Sequence, residues 1–378
     1  YVDAGYLTYA AAGSIWGIRF APNTRQVSGS PSRVAEDTFG NVSNPAVNFA
    51  VSRRGAVAYV LAPHVAERSL VWINRQGTEE IIPAPPREYQ QPRLSHEGTR
   101  IAVSITDRGR DRVDWDVWTW DLKDNSPGQT LRRLTFDSGA DTYPIWTHDG
   151  RIILSSSGQG RQNVYRRAAD GTGAEEPLTQ SSNNQRPLAL SPGDRDLVFE
   201  QQTPDTAWDL MRVVPDGSST AEVLLKTPFD ERNADLSPDG RWMAYESNES
   251  GQTEVYVRPF PNVKDAIYRV STNRGRSPAW AQSGRELFFV NGSTMYAVAV
   301  QLGSAFRHGS PVALFDAPSI LFDTRQLAGG GAFRMYDVSR DSQRFLVVKY
   351  AGAGDPATVR HSIVLVHNWF DNAKMPAR

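Results

Sequence analysis

A turn written in Ser, Pro, Asp and Gly, or in close substitutes, recurs seven times in this chain, each time between a short apolar approach and a run of apolar residues. The fullest copy is Leu236-Ser237-Pro238-Asp239-Gly240-Arg241-Trp242-Met243-Ala244-Tyr245, and the others open at Val51-Ser52, Leu94-Ser95, Trp146-Thr147, Leu190-Ser191, Trp280-Ala281 and Val338-Ser339. The turn positions 52, 95, 147, 191, 237, 281 and 339 are spaced by 43, 52, 44, 46, 44 and 58 residues. That is the length of a four-stranded propeller blade. The spacing therefore predicts an all-β chain, a closed β-propeller of four-stranded antiparallel blades.

Each unit reads as strand, turn, strand, loop, strand, turn, strand. Around Ser237, Pro pre-sets one turn dihedral, Asp bonds the backbone ahead and Gly accepts positive φ. The second strand, from Trp242 to Ser247, is expected to be half-buried and alternating. A third strand follows at Glu254-Val255-Tyr256-Val257-Arg258 and a fourth at Ile267-Tyr268-Arg269-Val270. With the N-terminal segment counted there are eight units, 1–46, 47–91, 92–143, 144–186, 187–233, 234–277, 278–335 and 336–378, in a single domain. The last unit lacks a fourth strand, which an N-terminal strand would supply; seven or six blades are the alternatives.

Composition narrows the partners. With 41 basic against 42 acidic side chains there is no net field to draw nucleic acid or an anionic membrane, and no basic run carries interleaved aromatics. No stretch approaches ~18 uninterrupted apolar residues, so no membrane insertion is expected. The lack of Cys excludes disulfides, thiolate metal sites and cysteine nucleophiles.

The Ser-Pro-Asp-Gly turn with its following strand resembles the TolB-type propeller repeat. A resemblance over nearly the whole chain rests on Gly5-Tyr6-Leu7-Thr8-Tyr9, Leu70-Val71-Trp72-Ile73-Asn74-Arg75-Gln76-Gly77, Leu134-Thr135-Phe136-Asp137, Trp208-Asp209-Leu210, Glu254-Val255-Tyr256-Val257-Arg258-Pro259-Phe260-Pro261 and Val366-His367-Asn368-Trp369. In that order the motifs are similar to the propeller region that follows the catalytic domain of bacterial serine/threonine protein kinases. The resemblance implies a bacterial, extracytoplasmic sensor or scaffold that binds a protein. The chain itself carries no Gly-rich phosphate loop, no His-Arg-Asp catalytic loop and no Asp-Phe-Gly.

Catalytic signatures are sparse. No Gly-x-Ser-x-Gly elbow and no His-Glu-x-x-His pair occurs. His96 and His148 stand in turns where a polar residue replaces Pro. The acidic loop from Asp107 to Asp116 has the oxygens for Ca²⁺, but its three interleaved Arg favour internal ion pairs, so neither a metal nor another cofactor is expected.

In a propeller the loops between blades share a face with the loops between second and third strands, opposite the Ser-Pro-Asp-Gly turns, and function is expected there. Those loops bring Tyr89, Gln91, Asp141, Tyr143, Gln185, Arg186, Arg232, Asn233 and Arg276 to the channel mouth. Amides, aromatics and both charges suit a protein, a peptide or a small polar ligand. Arg186, Arg232 and Arg276 fall at matching points in three successive units, placed either to grip an anionic group or to bridge blades. Trp115 and Trp208 stand at the starts of third strands as partner anchors or as packing between blades. The segment from Leu321 to Phe333, with three consecutive Gly, is a candidate lid or an insertion. The expected function is a binding module, with a hydrolase or lyase built from scattered channel residues as the alternative.

Overall fold

A computed structural model describes residues 1–3, 5–11, 14–36, 40–41, 44–60, 68–108, 113–123, 131–137, 139–158, 160–217, 220–321, 333–350, 363–367 and 369. Strands account for 57% of the described residues. Four successive four-stranded antiparallel sheets fill its middle, and each is called here by the first residue of its leading strand. The Glu88 sheet has Glu88–Leu94, Arg100–Arg108, Val113–Asp121 and Arg132–Arg133. The Asp141 sheet has Asp141–Trp146, Arg151–Ser156, Asn163–Ala168 and Glu176–Pro177. The Gln185 sheet has Gln185–Leu190, Leu197–Thr203, Ala207–Val213 and Glu222–Leu225, and the Arg232 sheet has Arg232–Leu236, Trp242–Ser247, Glu254–Pro259 and Tyr268–Arg269. An Arg276 sheet follows, in which Val312–Asp316 lies fourth, against Thr294–Gln301.

The sixth sheet is assembled from both ends of the chain. Tyr336–Val338 pairs with Arg344–Tyr350, which pairs antiparallel with Arg68–Asn74, which in turn pairs with Glu79–Ile81. The C-terminal unit is thus completed by two strands from residues 68–81 and not by the first strands of the chain. Those first strands, Tyr6–Ala11, Ser14–Ala21 and Gln26–Ala35, form a sheet of their own. Phe49–Val51 and Val57–Val60 make a further sheet with Ile363–Val366. These terminal sheets share a core of Val2, Tyr6, Ile15, Val57, Tyr59 and Trp369 that contains, among the described residues, none from 68–350.

The repeated turn has one mechanism in the copies that open on Ser or Thr, while the Ala281 copy closes through backbone bonds, from Gly284 N to Ala281 O and from Ala281 N to Glu286 O. The Ser237 hydroxyl donates to Asp239 Oδ1 at 2.6 Å and accepts from Trp242 N at 3.0 Å, while Gly240 takes φ +69° and donates its N–H to Ser237 O. Ser95, Thr147, Ser191 and Ser339 accept from the backbone N–H of Arg100, Arg151, Asp196 and Arg344 in the same way. A hydroxyl is the residue type that can close this ring of bonds, which is why the turn survives loss of Pro at His96 and His148. The end of the fourth strand has its own clamp. Thr135, Thr179 and Ser271 each accept from the N–H of a third-strand valine, Val117, Val164 and Val255.

Trp242–Ser247 is buried at every position, where alternation was expected. Both faces of its sheet are covered: Met243 and Tyr245 pack with Leu210 and Leu225, and Trp242 and Ala244 pack with Trp280 and Leu287. A strand enclosed on two sides has no wet face to mark its period. Of the four tryptophans whose apolar strand positions imply a place in the core, Trp146, Trp242 and Trp280 are buried, and Trp118 is half-buried against the cluster of Ile101, Trp120 and Leu346.

Candidate functional site

Each leading strand runs from the loop end of its sheet to the turn end. Four residues of these strands, Gln91, Tyr143, Asn233 and Ser277, have φ between +50° and +58° and lie at breaks in the pairing register. Such bulges re-aim neighbouring side chains. Pro187 and Met335 hold the equivalent position in the other two sheets, and the residue just before it is Arg186, Arg232, Arg276 or Arg334 in four successive sheets and Gln90 or Thr142 in the remaining two.

Arg186 and Arg232 converge. Arg186 lies opposite Glu200 in the register, with Nη1 3.3 Å from Oε1, and Arg232 Nη2 reaches the same oxygen at 3.7 Å from the next sheet. The two guanidinium groups stand over the Trp208 ring at 4.0 and 4.8 Å, and that of Arg186 also stands over Tyr143 at 4.9 Å and Phe333 at 4.8 Å. Glu200 is 1% exposed, and its Oε2 and the Nε atoms of both arginines have no hydrogen-bond partner among the described residues. Burial works against the Arg232 charge, but Glu200, Asp230 and Glu246 outweigh it and hold its pKa above the ordinary value. The result is an aromatic-walled, charge-bearing cage at the loop end of the strands.

Trp208 is therefore a packed element between two arginines. Trp115 is half-buried and bridges to Ala140 of the Asp141 sheet. Gln91 ties seams together, its Oε1 accepting from Ser104 Oγ at 2.8 Å and from Tyr143 N at 3.0 Å. Asn233 Oδ1 accepts from Arg334 N at 3.2 Å. Gln185 is buried and donates to Gln201 Oε1 at 2.7 Å. Tyr89 is fully buried with its hydroxyl on the Pro85 carbonyl, and burial pushes its phenol up. Arg276 is half-buried opposite Val290. Asp141 is buried away from the cage, near Asp137 and Glu175, and burial raises its pKa to about 7. Of the Leu321 to Phe333 segment, residues 322–332 lie outside the described residues, as do residues 109–112 of the Asp107 to Asp116 loop.

Arg334 was not singled out from the sequence, although it precedes Val338 by the same count that separates Arg232 from Leu236. It points toward the turn end, where its Nη1 is 3.2 Å from Asp235 Oδ2 and donates to Pro278 O at 3.0 Å. Asp235 and Asp337 also accept from the backbone of the next sheet, at Trp280 N and Leu94 N. Arg93 is held down to about 9 by burial and by the nearby Arg334 charge. A cavity of about 230 Å³ at this end is lined by residues of all six sheets, Arg93, His148, Leu188, Asp235, Trp280 and Asp337 among them. His96 and His148 meet on its lip with ring centroids 4.1 Å apart, and His148 Nδ1 lies 2.7 Å from Asp194 Oδ1. Burial, then His148, lowers the His96 pKa.

No protein-family model matches the sequence, and no curated protein matches it. Solved structures do resemble the fold. A putative TolB from Agrobacterium tumefaciens aligns with a TM-score of 0.57 at 16% identity, over 76% of this chain and 99% of that one. TolB from Acinetobacter baumannii aligns at 0.48 and 13% identity, over 81% and 79% of the two chains. The periplasmic gluconolactonase PpgL of Pseudomonas aeruginosa aligns at 0.42 and 16% identity, over 82% and 98%. The chain has a TolB-like β-propeller fold.

Proposed function

We propose that residues 68–350 form a six-bladed propeller closed through the sheet made of both chain ends, and that it is a binding module for an anionic peptide end. Six is the smallest of the blade counts that the repeat spacing allows. It is supported by polar contacts across every seam. Tyr143 N bonds Gln91, Ser155 Oγ bonds Gln185 O, Arg232 reaches Glu200, Ser277 N bonds Glu246, Tyr336 Oη bonds Ser277 O, and Leu94 N bonds Asp337. On this reading residues 1–60 with 363–369 are a separate unit.

The observation that carries the binding role is the pair of arginines from adjacent sheets stacked on Trp208 and sharing one carboxylate oxygen. A guanidinium fork held by aromatic faces is preset for a second carboxylate, and its unmet Nε donors are the groups such a ligand satisfies. An open cavity of about 690 Å³ on the same end, bordered by Asn184, Gln202, Asp205, Phe229 and Asn248, gives a peptide room to lie. The ordered motifs of the sequence favour a sensor attached to a kinase-linked protein. The test is a peptide library presented with free carboxyl ends and again with amidated ends. Enrichment confined to free ends, and lost in Arg232→Ala protein shown to be folded, supports the reading; equal enrichment of both libraries defeats it.

A hydrolase or lyase is the second reading, and the Asp194-His148-His96 chain at the cavity lip is the observation behind it. Turnover in a screen of esters and lactones that disappears in His148→Ala would favour it over the binding module.

A further inference from the structure

Asp137, Asp141 and Glu175 each bring a carboxylate oxygen within 4.8 Å of the others. They come from three parts of the chain. Asp137 lies in the connection between the Glu88 and Asp141 sheets, Asp141 opens the leading strand and Glu175 immediately precedes the outer strand Glu176–Pro177. Asp141 stands opposite Ser156 in the register. Ile152, Leu154 and Ser156 alternate onto one face, and Ile152 and Leu154 pack there against Ala102, Val117 and Leu134 of the preceding sheet. The Asp141 carboxyl therefore faces the seam between the two sheets.

Asp141 is fully buried, and neither of its oxygens makes a hydrogen bond of good geometry among the described residues; the Ser156 and Thr135 hydroxyls beside it offset its burial only in part. Leaving an ionised carboxylate without compensation in such a place is strongly unfavourable. Beside it opens a cavity of about 560 Å³ whose wall includes Asp137, Glu175, Ser156, Tyr165 and Arg167. Arg167 Nη1 takes one oxygen of Glu175 at 3.2 Å, so one cation faces three carboxylates. We propose that this seam binds a hard divalent cation, and that the cation is Ca²⁺.

The ligand set argues for it. All the donors are oxygens, three are carboxylates, and among the described residues the seam offers no imidazole or thiolate of the kind that Zn²⁺ or Cu²⁺ selects. Oxygens on opposite sides of a Ca²⁺ ion, each about 2.3–2.6 Å from it, stand about 5 Å apart, which the observed spacing matches with little movement. The adjoining cavity leaves room for the waters that complete a shell of six to eight. The cation would join the connecting loop, the leading strand and the outer strand of one sheet, and so lock its rim.

The full chain, stripped with EDTA and dialysed, is titrated with CaCl₂ by calorimetry while its melting midpoint is followed. One site with a dissociation constant below about 1 mM and a raised midpoint are expected. Glu175→Gln and Asp141→Asn should each weaken binding at least about tenfold, and Asp141→Asn should melt no lower than the stripped wild type. Tb³⁺ placed in the seam should luminesce on excitation of tyrosine, and Tyr165→Phe should dim it. No heat and no midpoint change would overturn the site, as would Tb³⁺ emission that Glu175→Gln leaves intact. An equal response to MgCl₂ would overturn the choice of Ca²⁺.

Discussion

Replacing Glu231 with Gln should stabilise the protein, and by an amount that depends on pH. Glu231 is fully buried at the loop end of the Arg232 sheet, accepts the Thr227 hydroxyl on Oε1, and has no partner for Oε2 among the described residues. Burial raises its pKa from 4.5 to about 7, the Thr227 bond opposes this only in part, and Asp209 and Glu249 add to it. The folded state therefore keeps a proton that the unfolded chain has already lost. For a raised carboxyl the stabilising contribution is complete below the unfolded value of 4.5, declines as pH climbs, and is gone once pH passes about 7. At about 1.4 kcal/mol per decade of proton affinity, ionising this group should cost the folded state about 2–3 kcal/mol near pH 8. Gln keeps the acceptor for Thr227 and removes the charge. Urea unfolding of both proteins should show the variant gaining about 2 kcal/mol more, relative to wild type, near pH 8 than near pH 5. A gain that is equal at the two pH values would mean that the Glu231 carboxylate is solvated, and would refute the reasoning.

Arg232→Ala should lower stability by about 2–3 kcal/mol, because Glu200 stays buried with Arg186 alone, and adding Glu200→Gln should restore part of the loss in a double-mutant cycle. Gly240→Ala should cost about 1–2 kcal/mol, since φ is +69° and a Cβ would sit 2.9 Å from Pro192 Cδ. The same change at Gly251, with φ +87° and nothing within 4 Å, meets the backbone penalty alone, and thermal melts of the two variants separate these effects. Arg75→Ala removes a fork on Glu286, with contacts of 2.7 and 2.9 Å, that ties the sheet of both chain ends to the Arg276 sheet; a loss of about 1–2 kcal/mol is expected in denaturant titration.

The turns were legible in the sequence because they are local: Ser237 finds these partners between Asp239 and Trp242. The third strands were legible for the same reason. Pairing of Arg68–Asn74 with Arg344–Tyr350 was not, since no local signal links segments so far apart. The arginine rank could be read by counting back from the turn, which found Arg186, Arg232 and Arg276. Their shared partner, Glu200, could not be found that way, because it faces Arg186 only through strand register. Nor could the contact of His96 with His148: each looked like a substitution within its own turn, and only packing of adjacent sheets makes them neighbours. The Asp137, Asp141 and Glu175 cluster is drawn from three loops and strand ends, so nothing in its spacing marks it.

The sheet built from both ends of the chain bears on how the protein is made. Lys349 meets Glu79 across 270 residues, so Arg68–Asn74 must wait for nearly all of the intervening chain to emerge from the ribosome before it finds its partner. Until then Leu70, Val71 and Trp72, which end up buried, have no strand to cover them. Contacts of such long range make folding slow, and the waiting edge is open to pairing with another nascent chain. A circular permutant that begins at Tyr336 and joins residue 350 to residue 68 by a short linker would turn this pairing into a hairpin. It should refold faster than the natural order at similar stability, with less aggregation during synthesis.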